Sequence, residues 1–404
     1  MDRILDSRPP FAPLGGKSPE EVFSGLETPC YILDEGALRR NGECLARTAE
    51  ESGAKILLAQ KAFSNFDLYP LLAPYLAGTE ASGLFEARLG HEKMPGKETH
   101  VFCAAYREQE FAELLEYADH IVFNSPAQLA KFGARAKAAG KSVGLRVNPE
   151  HSTQDGHEIY DPCAPGSRLG TTRAQFDRGM TPALLAILDG LHFHTLCEQD
   201  SDALESTLGA VEEKFGDILH SMKWLNMGGG HHITRPGYDI GRLCRCVHGA
   251  REKWGVEVYL EPGEAVALNA GYLACRVLDT LENGDVRIAI LDASAACHMP
   301  DVLEMPYTPP LYGAAGSGEK PFTVRLGSQT CLAGDVIGDY SLDRPLKEGD
   351  LLLFGDMAIY TTCKNNTFNG MPLPAIYVLR ESGEIECLAR FGYEDFVSRL
   401  GGRA

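Results

Sequence analysis

WLNMGGG (residues 224–230) is a short apolar run that ends in three consecutive glycines. Three other stretches share its build, an apolar strand-like run that stops on polar chemistry. KILLAQKA (55–62) reaches Lys61, GLHFHTL (190–196) carries His192 and His194, and VEVYLEPGE (256–264) reaches Glu261. Short apolar runs set apart by helices read as buried parallel strands. In a parallel β/α barrel the carboxyl ends of all strands open on one face, where functional groups gather. A lysine, an imidazole ring, an anion cradle and a carboxylate are therefore expected at one site.

From about residue 36 to 272 the pattern alternates. GALRRNGECLARTAEES, NFDLYPLLAPYL, GLFEARLGHEK, REQEFAELLEYA, PAQLAKFGARAKAAG, SDALESTLGAVEEKFGDILH and YDIGRLCRCVHGAREKWG read as helices. HVFCAA, HIVFN and SVGLRVNP read as strands between them. The count approaches eight βα units, which favours a closed barrel over an open sheet. Residues 150–171 form a long polar loop rich in Pro and Gly, a length that points to function. After residue 273 the texture becomes all β. RVLDTLENGDVRIAILDAS places Asn283-Gly284 between two β runs, a strong hairpin signal. PCYILDEG (29–36) is expected to add a strand to that domain. The expected division is a barrel over 36–272 and a β domain from 1–35 with 273–404.

The chain has 404 residues, with 38 Lys+Arg against 56 Asp+Glu and a formal net charge of −18. Such a surface does not suit nucleic acid, whose phosphates want a basic face. An acidic field does concentrate cations, although plain solubility accounts for it as well. The twelve cysteines follow no disulfide framework, and Cys244 and Cys246 are C-x-C rather than the C-x-x-C common at zinc sites. MDRILDSRPPFAPLGG lacks the apolar segment of a signal peptide, and no apolar run is long enough for a membrane span. A cytoplasmic location with reduced thiols is expected.

Lys61 ends a buried strand, where a lysine is rare unless used; a strand-end lysine reaching solvent is the plain alternative. A desolvated lysine can bond an aldehyde. Gly228, Gly229 and Gly230 let backbone approach a ligand and offer N–H groups to a phosphate, or they simply make a βα turn. A carboxylate at Glu261 facing a pyridine nitrogen would keep it protonated and strengthen it as an electron sink. His192 and His194 share a strand face and could ligate a metal with His231 or His232, but no ordered ligand motif supports that. His194 can instead stack on a planar cofactor. This inventory suits pyridoxal phosphate (PLP), with no metal. In the β domain, SQTCLAGDVIGDY (328–340) sets Cys331 and Asp335 in a loop, and Tyr360 could offer a hydroxyl to a phosphate.

The strings LLAQKAFSN, GLHFHTLCEQ, NMGGGHHIT, EPGEAV, ACHMPDVLEMPY, TCLAGDVIGDY and TFNG, in this order over nearly the whole chain, resemble the fold-type III PLP decarboxylases. Within that group they are most similar to the carboxynorspermidine/carboxyspermidine decarboxylases of polyamine biosynthesis. The resemblance implies an alanine racemase-like fold, a (β/α)8 barrel plus a C-terminal β domain, and a homodimer with shared active sites. It implies that Lys61 is the Schiff-base lysine and that His194 stacks on the ring. It implies that Gly228, Gly229, Gly230 and Tyr360 hold the phosphate and that Glu261 meets the ring nitrogen. Cys331 resembles a cysteine given across the dimer interface to reprotonate the product carbon. Asp335 falls at a position that in relatives serves substrate binding or intersubunit pairing, Glu264 and His231 are expected at the substrate, Glu80 and Glu86 near the lysine, and Asp301 and Glu304 near a distal amine. Many relatives read E-P-G-R where this chain has Glu264, which counts against diaminopimelate as substrate. Leu332 follows the cysteine where relatives often carry an acid. Diaminopimelate decarboxylase, a non-catalytic regulatory protein and an alanine racemase remain the competing readings.

Overall fold

A computed structural model of the chain describes Leu14, residues 17–154 and residues 161–402. The chain divides into two compact units, residues 39–266 and residues 1–38 with 267–404. Among the described residues no helix is long and apolar enough to cross a membrane. The twelve cysteines are all free thiols.

The first strand, β1 (Cys30–Asp34), belongs to the sheet unit. The next eight form the other unit: β2 (Lys55–Ala59), β3 (Gly78–Ala81), β4 (Glu98–Phe102), β5 (His120–Phe123), β6 (Ser142–Arg146), β7 (Gly190–His192), β8 (Trp224–Asn226) and β9 (Glu257–Leu260). They pair in chain order as a closed barrel, and β9 returns parallel to β2 through Lys55↔Tyr259 and Ile56↔Leu260. Local sequence starts and stops the surrounding helices. Ser125 Oγ accepts the Gln128 N–H ahead of helix Pro126–Ala138, whose Pro stands at the first turn where a missing N–H costs nothing. Asp239 caps helix Ile240–Trp254, and Gly255 closes it in the left-handed conformation.

Two sequence expectations differ from the structure here. The helix expected over 65–76 is a 3-10 turn at Phe66–Leu68 and a four-residue helix at Tyr69–Leu72. Pro74 ends it, since proline lacks the N–H that a continuing helix needs. GTEA was not read as a strand, yet it is β3, buried at all four positions. Its polar residues hid it, because burial between two flanking strands rather than an apolar run makes it a strand. Gly78 is required by that fit, since a Cβ there would lie 1.9 Å from the Glu98 carbonyl oxygen. In the long polar loop, residues 155–160 lie outside the described residues. The Gln199 amide ties down the part before them, accepting from Thr153 Oγ1 at 2.8 Å and donating to the Thr153 carbonyl at 2.6 Å.

The sheet unit adds β10 (Gly271–Asn283), β11 (Val286–Leu291), β12 (Ala315–Gly316), β13 (Phe322–Ser328), β14 (Val336–Leu342), β15 (Leu351–Gly355), β16 (Ala375–Leu379) and β17 (Ile385–Ala389). Its order is β12-β14-β13-β11-β10-β1-β16-β17, with β15 on β10. β10 and β11 are the expected hairpin, with Gly284 at φ 59° in its turn. Buried Tyr31, Leu273, Leu326 and Phe354 lie in its main apolar core.

The amino end of the barrel is closed by a dense cluster. Lys55 Nζ lies 2.7 Å from Glu98 Oε1 and 3.0 Å from Glu257 Oε1. Glu98 Oε2 lies 2.9 Å from His100 Nε2. The His100 and His120 rings stack at 3.9 Å and 12°. One ligand atom each of Glu98, His100 and His120 lies within 4.8 Å of the others, and the Lys55 ammonium is shared between Glu98 and Glu257. Trp224 lies beneath, its Nε1–H donating to Ser142 Oγ at 2.9 Å. Gly144 and Gly190 make room for it, since a Cβ would lie 2.3 and 2.0 Å from indole atoms. Burial pushes the Glu98 pKa up, but hydrogen bonds from His100 and Lys55 outweigh it and bring it down to about 2. A depressed carboxylate stabilises the fold above its unfolded pKa, and that stability drains away as pH falls towards 2. Glu98→Gln is expected to cost about 1–2 kcal/mol at pH 7 and to flatten the loss of melting temperature between pH 5 and 3. Thermal melts across that range check both; an unchanged pH slope removes Glu98 from the acid linkage.

Candidate functional site

Lys61 sits two residues beyond β2. Its Nζ lies 3.6 Å from Glu80 Oε2 on β3, and the side chain remains 36% exposed, so the ammonium is reachable. Glu80 is fully buried, and burial raises its carboxyl above the usual range against the pull of Lys61. Gln60 holds the next turn in place, its Nε2 donating to the Glu86 carbonyl at 2.8 Å.

His192 ends β7 and points its Nε2 at Glu261 Oε2, 3.1 Å away. His194, two residues on, accepts the Gly229 N–H at Nδ1 over 3.2 Å, which leaves the proton on Nε2. Burial, with Lys61 close by, holds the His194 ring neutral. Arg146 at the end of β6 donates to the His194 carbonyl at 3.1 Å, and its guanidinium lies 4.5 Å from the Phe102 ring centre. One ligand atom each of His192, His194 and Glu261 lies within 4.8 Å of the others. The strand-end groups therefore do converge.

The glycines follow β8. Gly228 and Gly230 have φ of 70° and 80°, the region that suits residues without a Cβ. A Cβ at Gly229 would lie 2.5 Å from the Glu261 carbonyl, and one at Gly230 2.1 Å from that of Leu196. The loop is thus wedged against β7 and β9, and glycine is the residue that fits. The Gly230 N–H has no hydrogen-bond partner among the described residues and is available to an anion. Glu261, just past β9, is 2% exposed. It accepts from Asn226 Nδ2 at 2.6 Å as well as from His192. Burial pushes its pKa up, but His192 and the Lys61 ammonium outweigh that and keep it an ionised carboxylate. A buried anion of this kind suits a protonated ring nitrogen, and a glycine loop with a spare N–H suits a phosphate. These residues fit PLP.

The remaining expected residues are placed less simply. His231 is buried beneath the loop, its Nε2 3.3 Å from the Met227 carbonyl. Glu264 opens the short helix Glu264–Ala267, its side chain 11% exposed and 3.3 Å from His232 Nε2. Cys331, Asp335 and Tyr360 all belong to the sheet unit. Cys331 is exposed, and its N–H donates to Asn369 Oδ1 at 2.6 Å. Asp335 is buried and accepts from Ser294 Oγ, Ala296 N–H and Thr330 Oγ1, so its carboxylate faces inward and braces the turn before Cys331. Tyr360 holds φ 48°, a strained backbone for a bulky residue of the kind found at functional positions. Asp301 and Glu304 share the single Lys364 ammonium, so both carboxylates are already engaged within their own unit. Sequence reasoning passed over Asn226 and Arg146. Arg146 did carry a signal, a lone charge inside the apolar run SVGLRV.

Comparison with known proteins places these residues in context. The family described as "Pyridoxal-dependent decarboxylase, C-terminal sheet domain" matches residues 30–358. A carboxynorspermidine/carboxyspermidine decarboxylase of Campylobacter jejuni is 43% identical over 388 residues, covering 93% of this chain and 99% of that protein. A carboxyaminopropylagmatine decarboxylase of Synechocystis is 41% identical, covering 94% and 97%. The solved structure of carboxynorspermidine decarboxylase from Campylobacter jejuni, complexed with norspermidine, superposes with a TM-score of 0.84 at 42% identity, covering 93% of this chain and all of that one.

The wedged loop makes a cofactor-independent prediction. Gly229→Ala is expected to cost about 1–3 kcal/mol through overpacking. Gly209→Ala, in helix Ser201–Leu219 with open space around it, should be neutral or stabilising. Denaturant melts of the two apo variants check this; equal stability would mean the loop yields freely.

Proposed function

The chain belongs to the pyridoxal-dependent decarboxylase family, and on that premise we propose how its own residues serve the reaction. It is a PLP-dependent carboxy-lyase of polyamine biosynthesis, removing carbon dioxide from carboxynorspermidine and carboxyspermidine to give norspermidine and spermidine. The support that carries this reading is the near-complete overlap, at 43% identity, with the Campylobacter decarboxylase of that name.

PLP, when bound, supplies the electron sink for the charge left by departing carbon dioxide. Lys61 supplies the amine that anchors the cofactor aldehyde, and Glu80 keeps that amine paired while it waits. His194 presents a neutral ring face, fixed by Gly229 on one side and by Arg146 through its backbone. The glycine loop offers the phosphate the Gly230 N–H, since Gly228 and Gly229 already donate to Asn226 and His194. Glu261, held as an anion by two donors, keeps the ring nitrogen protonated. We further propose a homodimer in which Cys331 of the partner subunit returns a proton to the product carbon. Leu332 and Phe368 beside Cys331 are 45% and 47% exposed, an apolar rim that a second copy would cover. The acidic surface and Glu264 favour a cationic substrate with no second carboxylate.

The 41% identity to a carboxyaminopropylagmatine decarboxylase supports one other substrate, of the same carboxylated polyamine class but ending in a guanidine group. A panel of carboxynorspermidine, carboxyspermidine, carboxyaminopropylagmatine and diaminopimelate decides among them. The first two should lead in kcat/KM, and diaminopimelate should trail by about a hundredfold, the cost of leaving a buried charge unpaired. Faster turnover of diaminopimelate would reverse the assignment.

Glu261→Gln should bind PLP more weakly yet still fill at saturating cofactor, and there lose at least about tenfold in kcat, roughly 1.4 kcal/mol of barrier. Turnover near wild type would remove Glu261 from the electron sink. Mixing Lys61→Ala with Cys331→Ala protomers should recover about a quarter of wild-type activity, because half the dimers hold one intact site. Proven subunit exchange without recovery would mean each site is built from one chain.

A further inference from the structure

We propose that Asn226 is a positioning residue that locks the carboxylate end of the site to its phosphate end; this rests on reading Glu261 and the glycine loop as cofactor groups. Asn226 is the last residue of β8 and is fully buried. Its Nδ2 donates to Glu261 Oε1 at 2.6 Å, and its Oδ1 accepts the Gly228 N–H at 2.9 Å. The Glu261 N–H in turn donates to the Gly228 carbonyl at 2.7 Å. These three bonds form a closed ring joining one side chain, one carboxylate and the first loop glycine.

Only an amide satisfies both partners without adding charge. The carboxylate demands a donor and the glycine N–H demands an acceptor, so the orientation of the amide is fixed by its neighbours. Aspartate in its place would still accept from Gly228. It would also set a second carboxylate at hydrogen-bond distance from Glu261, and the two would have to share a proton. Alanine would release both ends. His192 holds the other Glu261 oxygen, and among the described residues Asn226 is the side chain that hydrogen-bonds both to the Glu261 carboxylate and to the loop.

The ends can be separated with two probes, PLP and pyridoxal, which lacks the phosphate. Their dissociation constants are measured on apo protein by fluorescence titration. Both ends are slackened in Asn226→Ala, which should weaken PLP at least tenfold and pyridoxal by a smaller factor. The glycine acceptor survives in Asn226→Asp, which should weaken both probes by similar factors. Glu261→Gln should cost less than half as many-fold in an Asn226→Ala background as in wild type, since the carboxylate is then already loose. A merely structural asparagine would lower the melting temperature without moving the PLP-to-pyridoxal ratio. Should Asn226→Ala not fold, Asn226→Ser takes its place in the same titrations. Equal loss of both probes in Asn226→Ala, or full additivity with Glu261→Gln, overturns the clamp while wild-type binding leaves the cofactor reading intact. Wild-type apo protein that binds no PLP overturns both.

Discussion

The pairing of β9 with β2 is the contact on which the site depends. Lys61 and Glu261 are two hundred residues apart, and only barrel closure puts the strands that carry them side by side. The register of that closure matters as much as its existence. A slip of one residue would turn every alternate side chain from the interior to the helix-facing side. The inward Glu261 would then face apolar packing, where an unpaired carboxylate is prohibitive. Burying the anion correctly is thus a test that the chain passes only in its native register.

The electrostatics at Glu261 follow from that burial. An isolated carboxylate there would take up a proton. His192, together with the nearby Lys61 ammonium, reverses the preference, and Asn226 donates to the other oxygen. The group therefore favours the anion by virtue of its neighbours rather than of its sequence position. Glu80 illustrates the opposite balance. It faces one ammonium at 3.6 Å, and burial wins. Two glutamates on one barrel face thus hold different preferences for a proton.

Much of this was legible beforehand. Strands β2, β7, β8 and β9 announce themselves because each pairs an apolar run with an abrupt polar stop. β3 did not, since GTEA has no apolar period and owes its conformation to its flanking strands. Asn226 lies within WLNMGGG, where an asparagine beside glycines reads as turn chemistry. Its role is visible only once Glu261, from a distant strand, is set beside it. Asp335 shows the converse. The resemblance implied substrate binding or intersubunit pairing for it, whereas three donors from its own unit enclose it. Sequence shows which groups can carry charge; partners from remote segments decide what each charge is for.

The packing of Trp224 against Gly144 and Gly190 bears on how this barrel can change over generations. Neither glycine can acquire a side chain while the indole stands, because a methyl would sit 2.3 or 2.0 Å from it. The indole cannot shrink first without leaving a void, and truncating a buried tryptophan costs about 3–5 kcal/mol. Each path from this trio to another well-packed trio crosses a state that is either overfilled or hollow. The three positions are therefore epistatic, and drift acting one codon at a time is held in place at the floor of the barrel, far from any selection on its chemistry.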